Sequence, residues 1–301
     1  MSKINKKRLN PGWVVLIIFL LLTELALVIA YLLDGKNVAL FNPKGLIAQE
    51  QLSLMVFTAA VLLVIAIPTL SLLFYTAWKY RESNTKATYA PHAHHSKFRS
   101  LSMWLIPTAF MLVLASVMWP ATHRLVPQKL IAADAKPLRI QVVSMRWKWL
   151  FLYPEQGIAT INFVQVPVNT PVQFELTADA APMSSFWIPN LGGQLYSMTS
   201  HVNRLNLVAE SPGDYPGSSA EINGAGFAGM KFTARASNAQ EFDLWVQTVK
   251  QSPNVLDTAT YESILAPSEN NPVAFYSAFE HGLYEGVIMK YLGPVEGQVH
   301  H

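Results

Sequence analysis

The chain has 301 residues, 51% of them hydrophobic and only 14% charged, with no cysteine. Soluble domains average about 25% charged residues, so the deficit points to a membrane protein that carries a soluble part, and the missing cysteine excludes disulfides, thiolate catalysis, Cys-ligated zinc and iron–sulfur clusters. Residues 1–120 hold 11 Lys/Arg against 4 Asp/Glu and residues 121–301 hold 11 against 15, so the net charge of +3 reflects basic residues around apolar segments and gives no argument for nucleic acid.

Three apolar runs come first. Trp13–Leu33 follows Lys3, Lys6, Lys7 and Arg8. At 21 residues it is longer than the usual signal core of about 7–15, so it is read as a retained helix, with a signal peptide cut after Ala30 as the alternative. Glu24 in its middle is read as a neutral acid facing protein, a proton-carrying role being the alternative. Leu52–Trp78 and Leu101–Trp119 carry no charge over 27 and 19 residues. A bilayer core of about 30 Å needs about 20 helical residues, so both predict membrane helices. The loop Lys79–Ser100 holds five Lys/Arg and the loop Asp34–Gln51 only two. Basic loops stay inside, which places the N-terminus and loop 79–100 in the cytoplasm and the rest of the chain outside. The expected division is a first span or signal segment over 1–36, a transmembrane helical hairpin over 37–120, an outer β-sandwich over 121–236 and a C-terminal helical extension over 237–301.

From Pro137 the texture changes. Leu138–Ser144 alternates and is β-branched, Trp147–Tyr153 is dense in aromatics, and Ile158–Val164, Val172–Ala178, Arg204–Ala209 and Met230–Ala236 continue the strand pattern. Pro and Gly clusters separate them, as in a small antiparallel sandwich or barrel. Asn238–Gln251 sets Phe242, Trp245, Val246 and Val249 on one helical face, with Ser237 as the expected N-cap. Thr258–Leu265 and Ala274–Leu292 also read as short helices. The fold class is therefore a membrane-anchored all-β domain with N-terminal transmembrane helices and C-terminal helices.

Two helices before a small outer β-sandwich that opens on a Trp-rich strand resemble subunit II of the haem–copper respiratory oxidases, over about residues 42–292. The resemblance implies a cupredoxin fold. In the cytochrome c oxidase branch that fold carries a dinuclear copper centre, held by a His before Ser-Phe-x-x-Pro and by C-x-E-x-C-G-x-x-H-x-x-M. Both frames are legible here: Ser184-Ser-Phe-Trp-Ile-Pro189, and Ser219-Ala-Glu-Ile-Asn-Gly-Ala-Gly-Phe-Ala-Gly-Met230. Ser184 stands in the first His position, Ser219 and Asn223 in the two Cys positions and Phe227 in the second His position. Only Glu221 and Met230 are retained. A hydroxyl, an amide and a phenyl ring do not hold copper as thiolates and imidazoles do, so no metal is expected on this chain; polar side chains and water are expected in the vacated pocket.

Loss of that centre is the mark of the quinol oxidase branch. Val142-Val-Ser-Met-Arg-Trp-Lys-Trp149, Tyr153-Pro-Glu-Gln-Gly-Ile-Ala159 and Gly226-Phe-Ala-Gly-Met-Lys-Phe232 look closely like the cytochrome bo type within it, as do Lys250-Gln-Ser-Pro253 and Ala266-Pro-Ser-Glu269. The resemblance implies a non-catalytic subunit of a proton-pumping ubiquinol oxidase in the bacterial inner membrane, its large domain periplasmic. Haems, a copper and the quinol site are then expected in partner subunit I, with smaller membrane subunits and lipid as further partners and no role for cytochrome c. Arg146, Trp147, Lys148 and Trp149 are the candidate interface with subunit I.

Two features depart from that pattern. With no cysteine, the lipid anchor common in the family does not carry over. Where many relatives have a Glu four residues before Trp-x-x-Pro of the last span, near a proton entrance, Trp104-Leu-Ile-Pro107 is preceded by Ser100. Glu82, His92, His94 and His95 share that loop; a substitute proton role for these four and metal binding by the three histidines are the alternatives, and a solvated polar loop is the preferred reading. The rival from another class is a stand-alone, membrane-tethered cupredoxin-like binding protein.

Overall fold

A computed structural model of the chain describes residues 38–86, 97–131 and 136–292, with Glu24, Val28 and Tyr31. The run Trp13–Leu33 and the loop histidines His92, His94 and His95 therefore lie outside the described residues, save those three helical, exposed positions. The described chain forms two compact units, one of Leu54–Met118, the other of Ala39–Ser53 with the chain from Trp119.

The first unit is built on helices α1 (Leu46–Lys79) and α2 (Lys97–Arg124). Both are long and apolar enough to cross a membrane. They present Leu62, Leu72, Phe74, Trp104 and Leu112 to the outside, a surface that suits hydrocarbon and not water. Several of their hydroxyls are satisfied within the helix: Thr69 donates to Ile65 O at 2.8 Å, Ser71 to Ile67 O at 2.6 Å and Thr108 to Trp104 O at 2.8 Å, the back-bonding that makes Ser and Thr tolerable in lipid. At about 1.5 Å per residue, α1 is about 50 Å long and outruns the bilayer core. Its first two turns belong to the second unit, docked there by Lys44 N on Asn190 O at 2.8 Å, Glu210 N on Lys44 O at 2.9 Å and Ala48 N on Leu191 O at 3.2 Å.

The second unit is a two-sheet sandwich. Its strands are β1 (Leu138–Met145), β2 (Lys148–Tyr153), β3 (Ile158–Ile161), β4 (Phe163–Pro167), β5 (Val172–Ala178), β6 (Ser184–Trp187), β7 (Leu195–Ser197), β8 (Asn203–Leu207), β9 (Gly213–Ser219), β10 (Lys231–Ser237) and β11 (Ala274–Tyr276). One sheet runs β11-β3-β2-β1-β5-β8, the other β4-β10-β9-β6-β7. Pairing is antiparallel except for β1 with β5 and β4 with β10, which are parallel. This is the cupredoxin-like sandwich that the resemblance implies. Between the sheets, Trp149 meets Phe186 edge-on at 5.3 Å and Phe186 stacks on Phe232 at 5.0 Å.

The expected strand Ile158–Val164 is two strands in different sheets. Asn162, at φ 56°, turns the corner between them; its side chain accepts from Trp149 N at 2.9 Å and donates to Asn271 O at 2.9 Å. Asn tolerates this left-handed backbone, which its place in an apolar run conceals. β6, β7, β9 and β11 had no clear pattern in the sequence, because they are short or interrupted by Gly and Pro. β11 also corrects the expected helix Ala274–Leu292: only Leu283–Met289 is helical there.

The C-terminal helices are α3 (Ala239–Lys250), α4 (Thr258–Leu265) and α5 (Leu283–Met289). The N-cap of α3 is Asn238, which accepts from Glu241 N at 2.8 Å. Ser237 is instead the last residue of β10, its hydroxyl accepting from Gln165 Nε2 at 2.9 Å. Tyr261, Leu265, Tyr276, Tyr284 and Val287 cover Val143, Met145, Leu150 and Leu152 on the outer face of the first sheet. That sheet is thus buried on both faces, so β2 is buried at all six positions, as expected of a two-sided core strand.

On the other sheet, Arg235 and Asp214 face each other across β9 and β10 in a two-pronged ion pair of 2.6 and 2.7 Å. The guanidinium hydrogen bonds hold the Asp214 carboxyl below its ordinary value. The pair's contribution is therefore complete above the unfolded carboxylate pKa of 3.8 and fades as pH falls through the lower folded value. Both groups are about half exposed, so Asp214→Asn should cost less than about 1 kcal/mol; a denaturant midpoint at pH 7 against one at pH 3 checks this.

Candidate functional site

The six frame positions come together at one end of the sandwich. Ser184 opens β6 and Ser219 closes β9. Between β9 and β10, the loop 220–230 carries Glu221, Asn223 and Met230, with Phe227 opening a short 3-10 turn. Ser184, Ser219, Asn223 and Met230 are buried. Asn223 is the hub: its Nδ2 donates to Ser184 Oγ at 2.8 Å and to Met230 Sδ at 3.1 Å. Ser219 Oγ donates to the Glu221 carbonyl at 3.0 Å and accepts from Ser185 N at 3.3 Å.

This donor set does not fit copper. The one soft donor, Met230 Sδ, takes an amide hydrogen, and the Glu221 carbonyl takes a hydroxyl. The other atoms are hydroxyl oxygens and an amide that soft copper does not favour. Among the described residues, no group of three or more His, Cys, Asp or Glu could hold a metal.

Trp147 closes the site from β1–β2. It sits at φ 67°, a conformation rare for a bulky residue, with its amide on Met145 O at 2.8 Å. Its ring lies over the loop glycines: a Cβ at Gly226 would meet the indole at 2.4 Å, and one at Gly224 at 3.1 Å. Trp147 Nε1 and Asn223 Oδ1 are buried without a hydrogen-bond partner among the described residues. Gly226→Ala should therefore expel Trp147 and cost about 1–3 kcal/mol, the usual range for overpacking. Thermal unfolding checks it, and adding Trp147→Ala to Gly226→Ala should recover part of the loss if the clash is its cause.

The four interface candidates divide. Arg146 is exposed and donates to the Ala180 carbonyl at 3.0 Å. Trp147 is partly buried against the core. Trp149 is wholly buried between the sheets, and Lys148 is 3% exposed, its ammonium donating to Ile264 O at 2.7 Å, Ala266 O at 3.0 Å and Ser268 Oγ. Burial depresses the Lys148 pKa. Neither residue has surface to offer another subunit, which corrects the expectation for both; Lys148 instead ties the segment after α4 to the sheet. Alternation along a strand does not reveal this, because both faces of that sheet are covered.

Sequence reasoning missed a second buried cluster. Asp179, at the end of β5, is 0% exposed. It accepts from Tyr261 Oη at 2.6 Å, Tyr291 Oη at 2.6 Å and Lys290 Nζ at 3.0 Å. Burial and the Asp179 carboxylate push the Tyr261 pKa far up, and the same carboxylate raises that of Lys290. A lone acid after a strand of seven residues was the available signal. Ser100 lies in the first turn of α2 and is exposed, as is Glu82.

Comparison with known proteins gives these positions a context. A family described as the COX aromatic-rich motif matches residues 250–295, the segment of α4, β11 and α5. The cytochrome bo(3) ubiquinol oxidase subunit 2 of Pseudomonas putida is 45% identical over 90% of this chain and 86% of its own length. The ubiquinol oxidase subunit 2 of Acetobacter aceti is 42% identical over 87% of this chain and 85% of its own. The quinol oxidase subunit 2 of Bacillus cereus is 33% identical over 80% and 83%. Among solved structures, the periplasmic domain of cytochrome oxidase subunit II from Bradyrhizobium japonicum is similar over 40% of this chain and 96% of its own, at 24% identity and a TM-score of 0.37. With identities above 40% across most of both chains, this chain belongs to the subunit 2 family of the ubiquinol oxidases.

Proposed function

We propose that this chain is the non-catalytic subunit II of a proton-pumping ubiquinol oxidase, which oxidises ubiquinol and reduces O₂ to water. The observation that carries the reading is the copper frame itself. Its positions stay in one loop region in a member of the ubiquinol oxidase family, with hydroxyl, amide and phenyl groups in place of the ligands, and Asn223 is hydrogen-bonded to Ser184 and Met230. A domain so built has no route for electrons from a soluble cytochrome c. Electrons from membrane-dissolved ubiquinol go directly to subunit I, which holds the haems and a copper; this chain holds no cofactor.

Its own residues act structurally. Helices α1 and α2 anchor the sandwich in the inner membrane, with the sandwich on the periplasmic side, as the basic loop 79–100 supports. Residues 121–236 cap subunit I and 237–301 brace the cap. Arg146 and Trp147 remain the candidate contacts: an exposed guanidinium suits carboxylates or haem propionates, and the adjoining Trp147 is only partly buried. Smaller membrane subunits and lipid complete the surroundings, and no nucleic acid takes part. With Ser100 at the entrance position, either another group serves as the proton entrance or uptake takes a different course, since a hydroxyl does not ionise at neutral pH.

The test is purification of the chain in mild detergent. Haem should come with it in a large polytopic partner, and O₂ uptake should be driven by ubiquinol and not by reduced cytochrome c. A chain that emerges alone and haem-free would favour the tethered binding protein instead.

A further inference from the structure

A cavity of about 430 Å³ lies in the second unit, where the start of α1, the end of α2 and the loop before β1 meet. Its walls include Ile47, Leu125, Leu130 and Ile131, and its charged lining is Arg124, Lys129 and Glu50. Neither Arg124 nor Lys129 makes a side-chain hydrogen bond or ion pair among the described residues, whereas five other cations of the unit make ion pairs. The position along the chain sets the depth. Arg124 is five residues past Trp119, the end of its apolar run, and Glu50 two before Leu52, the start of the other. At about 1.5 Å per residue these are about 7 and 3 Å beyond the apolar segments. The polar headgroup layer extends about 5–7 Å beyond the hydrocarbon core on each side.

We infer that this cavity is a phospholipid site of the outer leaflet, with Arg124 and Lys129 on the phosphodiester. The guanidinium and ammonium supply charge-assisted bonds to phosphate oxygens. The aliphatic wall takes the first methylenes of an acyl chain. Glu50 complements the ammonium of an ethanolamine headgroup, so two cations and one carboxylate match a phosphate and an amine. The inference rests on α1 and α2 as membrane spans and not on the oxidase reading, because lipid is counted per copy of this chain whether or not haem accompanies it.

The test is native mass spectrometry and phosphorus analysis of the protein purified in mild detergent. Arg124→Gln with Lys129→Gln should retain one phospholipid fewer per copy, and Arg124→Lys with Lys129→Arg should retain it. After delipidation, micelles doped with dioleoylphosphatidylethanolamine should restore the lipid and raise the melting temperature in the wild type and not in the Gln variant. An unchanged phospholipid count in the Gln variant overturns the inference. So does equal stabilisation by millimolar inorganic phosphate alone, which marks a free-anion site. Loss of a protein partner from the Gln variant with its phospholipid count intact also overturns it, marking a subunit contact.

Discussion

Asp179→Ala is expected to destabilise the outer domain by about 2–4 kcal/mol and to release its C-terminal module. The magnitude follows from what each donor loses. Tyr261 is buried, and its hydroxyl, 2.6 Å from the carboxylate, would be left without an acceptor, a cost of about 1–3 kcal/mol. Tyr291 keeps its second bond, accepting from Ala180 N at 2.8 Å, and so loses less. Lys290 is about half exposed and is rehydrated, so its loss is small. Asp179→Asn keeps the volume and one acceptor and should cost about half as much. The raised Lys290 pKa adds a pH signature. Its share of stability is complete below the unfolded lysine pKa of 10.5, is lost as pH rises through the higher folded value, and should vanish in both variants. Limited proteolysis between residues 250 and 292, alongside thermal unfolding, reads the result. Unchanged resistance in Asp179→Ala would mean that the apolar face of α4 and α5 suffices to hold the module.

Restoring the absent ligands should restore copper. Ser184→His, Ser219→Cys, Asn223→Cys and Phe227→His together, with Glu221 and Met230 untouched, are expected to yield a chain that binds two copper ions with thiolate-to-copper absorption in the visible. The geometry favours it: Asn223 is already within 2.8 Å of Ser184 and 3.1 Å of Met230, and Ser219 lies on the Glu221 carbonyl. Each single substitution should bind little, because one thiolate or imidazole among hydroxyls is a poor site for soft copper. The effect is all-or-none on metal content, the largest of any change considered. A folded quadruple variant without copper would show that the loop 220–230 has lost the shape as well as the ligands.

Much of this was legible in the residues. The two spans stand out because lipid demands long uncharged runs, and Val172–Ala178 and Thr258–Leu265 match their elements end to end. The vacated frame could be read because side-chain identity at fixed spacing is itself the signal. The failures share a physical origin. Asn162 turns a corner inside an apolar run, β9 is broken by Gly and Pro, and β11 is a three-residue strand at the sheet edge that pairs with β3, more than 100 residues earlier in the chain. Lys148 and Trp149 stand in the Arg-Trp-Lys-Trp segment expected to meet subunit I, and only tertiary packing shows them to be interior, Lys148 under the segment after α4 and Trp149 between the sheets. No local pattern links Asp179 to Tyr261, Lys290 and Tyr291, which lie more than 80 residues away.

The most direct test of a subunit whose copper frame is kept and chemically silenced is the metal content of the purified native complex. The account predicts a single copper alongside the haems, all of it with subunit I, and none on this chain once the subunits are separated. Copper that follows this chain on separation, or three coppers per complex, would contradict it.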